Sequence, residues 1–103
     1  MDHQSMLRAY LERDGDAFAS WFFQYPLKAD RVLSTLTVLR DKLDSEDVAE
    51  MIEARDAAGT LYGLANEAGV PLLAEMFYSF YEYVCRKITP IVRGWHEGDL
   101  KDA

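Results

Sequence analysis

Apolar residues along this chain recur at helical spacing and almost never alternate as strand residues do. The clearest case is residues 72–88, LLAEMFYSFYEYVCRKI. Leu73, Met76, Phe77, Phe80, Val84 and Ile88 fall on one stripe of a helix, the pattern of an element that faces a core. Tyr78, Tyr81, Tyr83 and Cys85 flank that stripe, leaving only a narrow polar strip of Glu75, Ser79, Glu82 and Arg86. A helix apolar over so wide an arc has to be nearly surrounded, by its own chain or by a second one.

The remaining segments read in the same way. Residues 4–13 predict a short first helix with Met6, Leu7, Tyr10 and Leu11 on one face. Asp14-Gly15-Asp16 predicts a break, and Phe18, Trp21, Phe22 and Tyr25 then resume helical spacing. Whether residues 4–25 form one bent helix or two is open at this level. Pro26 suits a first helical position, and residues 27–43 predict a helix with Val32, Leu36, Leu39 and Leu43 as its seam, widened by Leu33. Asp44 predicts the cap of the next helix, over residues 45–68, with Val48, Met51 or Ile52, Arg55, Ala58, Tyr62 and Ala65 at near-heptad spacing. Gly59 and Gly63 thin that helix, and Gly69 and Pro71 mark its end. Thr89-Pro90 predicts an end or a kink in the aromatic helix, with a further turn or two beyond it.

Composition narrows the class. The chain has 103 residues, half of them apolar, which predicts one globular domain (residues 1–97) followed by a frayed tail (residues 98–103). A net charge of −7 argues against nucleic acid or an anionic membrane surface as the main ligand, and leaves a basic or mixed protein partner. Charged residues interrupt the longest apolar run, so no membrane span is expected. A single cysteine, Cys85, and the start MDHQSMLRAY, which lacks a basic and then apolar leader pattern, predict a reducing cytoplasm.

Candidate chemistry is sparse. His3 and His96 have no second His or Cys at metal-ligand spacing. Cys85 sits mid-helix among apolar neighbours, the setting of an inert thiol. Glu46, Glu50 and Glu53 share a helix face, and such carboxylates hold divalent cations only when a second helix supplies more. Seven acids lie between residues 41 and 56, whereas residues 83–96 carry Arg86, Lys87 and Arg93 and no acid, so the chain is polarised. No catalytic, cofactor or metal residue is therefore assigned. The aromatic content is the strongest signal, because Tyr, Trp, Phe and Met concentrate at the centres of protein interfaces.

This profile resembles the small acidic helical antiactivators of LuxR-type quorum-sensing regulators, the QslA type. The resemblance covers length, acidity, helix content and the aromatic segment MFYSFYEYV, and transfers no site residue. It implies a partner that is a transcriptional regulator, held so that its dimerisation is blocked. Immunity proteins, antitoxins and secretion chaperones share the profile, and a small helical metal-dependent nucleotide hydrolase on the acidic helix is the enzymatic alternative. The expectation is an all-α bundle of four to five helices with a long aromatic C-terminal helix, a homodimer, and a non-enzymatic inhibitor of another protein. Its expected partner surface is Met76, Phe77, Tyr78, Tyr81, Tyr83, Val84, Ile91 and Trp95.

Overall fold

The computed structural model describes residues 2–22 and 24–102, and the side chains of all of these except 26 and 95–102. Within them the chain is all-α: four helices and no strand, α1 (His3–Phe22), α2 (Pro26–Lys42), α3 (Val48–Glu67) and α4 (Pro71–Asp102). The helices form a bundle in which α3 and α4 make the most extensive pair, α2 lies against α3, and α1 rests more lightly on α4 and α2.

α1 is one helix through Asp14-Gly15-Asp16, where the composition predicts a break. Gly15 has no positive φ, and its helix cost of about 1 kcal/mol is outweighed because Leu7 and Phe18 on either side both enter the core. Asp2 caps the start, its carboxylate accepting from the Ser5 N–H at 2.7 Å. That bond holds the Asp2 carboxyl below its ordinary pKa.

Pro26 does open α2. Of the predicted seam, Val32, Leu39 and Leu43 are buried and Leu36 packs against the core. Leu33 does not join them and is 65% exposed. The cap of α3 is Asp47, not Asp44: its side chain accepts from the Ala49 N–H at 2.8 Å, and residues 45–47 lie outside the helix.

The inward face of α3 keeps Met51, Ala58 and Ala65 of the predicted line but not Arg55 or Tyr62. Met51, Ala54, Ala57, Ala58, Leu61, Leu64 and Ala65 are buried, while Tyr62 is exposed and Arg55 is only half-covered. Choosing the alanines inward lets α4 come close enough to set its large rings against a thin surface. α3 ends in a Schellman motif: Gly69 takes φ +73°, Val70 N–H donates to Ala65 O at 3.0 Å, and Gly69 N–H donates to Asn66 O at 3.1 Å.

Pro71 opens α4, and the predicted core stripe is borne out in full. Leu73, Met76, Phe77, Phe80, Val84 and Ile88 are all buried. Pro90 neither ends the helix nor starts a separate one; α4 runs on to Asp102. Pro90 is exposed, and on that face the lost N–H bond leaves the Arg86 carbonyl open to water. At about 48 Å, α4 exceeds α3 by some 18 Å, which accounts for the 54 Å long axis of the molecule. No helix among the described residues is long and apolar enough to cross a membrane.

Candidate functional site

Two surfaces come out of this packing. The first lies on α3 and α4 and contains the predicted aromatic residues. Met76, Phe77 and Val84 are removed from it: at 3%, 0% and 0% exposure they belong to the core of a single chain and present nothing to a partner. Ile91 is partly buried against the core, and Tyr83 faces α1, where its ring lies 4.1 Å from that of His3. The Trp95 side chain lies outside the described residues.

That leaves Tyr78 and Tyr81, which the fold joins to Tyr62 of α3. The Tyr62 and Tyr78 ring centres are 5.4 Å apart, and Tyr78 stacks on Tyr81 at 6.4 Å. Gly59 makes room for this row, with Tyr81 ring carbons 3.6 Å from where its Cβ would be. Gly63, paired with Gly59 in the sequence, has nothing within 4 Å. Tyr78 is 47% exposed, and the Glu82 carboxylate one turn on, through its charge and then a hydrogen bond, raises the phenol above its usual pKa.

The second surface is a groove between α1 and α2 of about 340 Å³ that the sequence pattern did not single out. Phe18, Phe22 and Val32 form its floor, Leu11 and Leu36 its sides, and Leu33 stands at its lip. Among the described residues no polar one lines it. The signal was present in the chain: Leu33 beside Val32 gives α2 a second apolar line that a single inward seam does not absorb. Only the light contact of α1 with α2 turns that line into a groove.

The candidate chemistry resolves into structural contacts. The three carboxylates diverge, Glu46 standing before α3 rather than on it: Glu46 approaches Lys87 at 3.5 Å, Glu50 accepts from Ser45 Oγ at 3.1 Å, and Glu53 pairs with Lys42. The Glu53 hydrogen bond pushes the Lys42 ammonium above its ordinary pKa. No group of three or more His, Cys, Asp and Glu gathers among the described residues. Sequence polarity becomes an internal clamp, because Lys87 of α4 donates to Ser45 O at 3.0 Å and so holds the α2–α3 connection. His3 Nδ1 lies 3.0 Å from Asp44 Oδ1 and fastens the start of α1 to the same connection. Cys85 is half-buried on α4.

No protein-family model matches this chain, and neither the curated proteins nor the solved structures provide a significant match.

Proposed function

We propose that this protein is a non-enzymatic regulator that binds another protein and inhibits it by covering an interaction or dimerisation surface. The observation that carries the reading is the α1–α2 groove, apolar throughout its lining, with Leu33 exposed at its lip. An exposed leucine beside a concave apolar floor favours one kind of occupant, an amphipathic helix that lays its apolar side chains between two existing helices. Burying Leu33 and the floor on binding supplies the driving force, at about 25 cal/mol per Å² of apolar area.

The resemblance to antiactivators of LuxR-type regulators makes a transcriptional activator the partner class, and the mechanism competitive occlusion. Such a mechanism asks for no catalytic group. The single cysteine and the charge balance suit work in the cytoplasm on a protein, with no direct role for nucleic acid.

The test is affinity capture from the native cell extract with the tagged wild-type chain and with Leu33→Asp, followed by light scattering of the eluate. The wild type is expected to hold a stoichiometric partner, released as a monomer, and Leu33→Asp to lose it. Equal capture by the two proteins would exclude the groove, and capture of no stoichiometric partner by the wild type would sink the regulator reading itself.

A further inference from the structure

The outward face of α4 carries a charge pattern with a symmetry of its own. Glu75 lies nine residues before Val84 and Arg93 nine after it; Glu82 lies two before and Arg86 two after. Each like-charged pair is spaced seven residues apart, two helical turns, so all four side chains point away from the core along one strip. Glu75, Arg86 and Arg93 are exposed, and Glu82 is partly so. Within the chain Arg86 donates to Glu82 at 3.0 Å.

We infer that this strip is the face on which a second copy of the chain docks, α4 against α4 in antiparallel orientation. A two-fold axis at the level of Val84 sets Glu75 of each copy opposite Arg93 of the other, and gathers both Glu82–Arg86 pairs at the centre. A parallel arrangement instead opposes Glu75 to Glu75 and Arg93 to Arg93. Charge therefore selects the direction and the register together.

The neighbouring groups suit the same arrangement. Tyr78 and Val92 flank the strip on one side, 47% and 44% exposed, and the two-fold axis brings the Tyr78 ring of one copy over Val92 of the other. Ser79 Oγ donates to Glu75 O at 3.0 Å and Thr89 Oγ1 to Cys85 O at 2.8 Å. Both hydroxyls are thus satisfied within the helix, and two backbones can approach over small side chains without stranding a donor. The strip is neutral in a chain of net charge −7, so two copies can meet there without opposing an excess of acidic groups. The contact is about 27 Å long, which places it among the small, concentration-dependent interfaces. It lies on α4, whereas the groove proposed for the partner protein lies between α1 and α2, so neither inference depends on the other.

Sedimentation of the full chain over a concentration series tests this. The wild type is expected to pass from monomer to dimer. E75R/E82R, with an all-basic strip, and R86E/R93E, with an all-acidic one, are each expected to dimerise at least ~100-fold more weakly. Their one-to-one mixture is expected to form a heterodimer. E75Q/E82Q removes the acids without adding repulsion, keeps the test open if reversal impairs folding, and is expected to weaken the dimer about tenfold. A wild type that stays monomeric to its solubility limit overturns the inference. So does a dimer that none of these variants weakens, and so does a reversed pair that stays monomeric when mixed. Leu33→Asp is expected to leave the dimer intact; a dimer lost only in that variant would place the second copy in the groove instead.

Discussion

Two ring carbons of Tyr81 lie 3.6 Å from the point where a Cβ on Gly59 would sit. That is ordinary contact distance, so one methyl group fits beneath the ring and anything larger displaces it. Gly59→Ala is expected to stabilise the fold by up to about 1 kcal/mol through helix propensity. Gly59→Leu is expected to destabilise it, because the ring of Tyr81 must leave α3. Gly63→Ala, with open space around it, is expected to match the gain of Gly59→Ala. Gly69→Ala is expected to lose about 1–2 kcal/mol, since its φ of +73° is strained for any side chain. Urea denaturation of the four variants checks the whole set.

Phe77 and Leu33 are both large and apolar, and the fold treats them oppositely. Phe77 has no exposed surface and Leu33 is 65% exposed. Phe77→Ala is expected to cost about 3–5 kcal/mol. Leu33→Asn is expected to change stability by no more than about 0.5 kcal/mol, while weakening capture of the partner. Thermal melts paired with the capture assay separate the two effects.

The Tyr78 phenol titrates above its ordinary range because ionising it would set a phenolate beside the Glu82 carboxylate. Replacing Glu82 by Gln removes that charge, so the Tyr78 midpoint is expected to fall toward the usual tyrosine value. Ring-carbon chemical shifts followed through alkaline pH read Tyr78 by itself. An unchanged or higher midpoint in Glu82→Gln would contradict the contact.

Asp47 accepts from the Ala49 N–H and starts α3, whereas Asp44 reaches toward His3. Asp47→Ala is expected to cost about 1 kcal/mol, measured by chemical denaturation. Asp44→Ala, with no cap to lose, is expected to cost less and to act on the attachment of α1. Faster amide exchange near His3, with α3 unaffected, would show it.

Pro90 interrupts the hydrogen-bond ladder of α4 on its solvent face. Pro90→Ala restores an N–H that can reach the Arg86 carbonyl, and is expected to slow amide exchange at residues 91–94. Hydrogen exchange read by mass spectrometry checks this; unchanged protection would mean that the ladder is not limiting there.

Much of the architecture was legible in the chain because it depends on local rules. The 3.6-residue period marked each helical segment. Pro26 and Pro71 marked two starts, where a missing N–H costs nothing. Gly69 marked the end of α3, where a positive φ is needed. The α4 core stripe was legible because its large side chains leave one face that could serve as the inside.

Tertiary packing decided the rest. On α3 the predicted line ran through Arg55 and Tyr62 as well as Ala58 and Ala65, and the buried face is rotated from it toward Ala54, Ala57 and Leu61. The alanines went inward because the rings of α4 need a thin partner. Gly15 read as a break or bend and Pro90 as an end or kink because each costs helix free energy locally, and both helices continue because core contacts on either side of Gly15, and a solvent-facing position at Pro90, offset that cost. Leu33 read as part of the α2 seam, yet stands exposed because α1 covers only one side of α2. A helix sequence fixes which residues share a face; which of two competing faces turns inward is set by the shape of the neighbour it packs against.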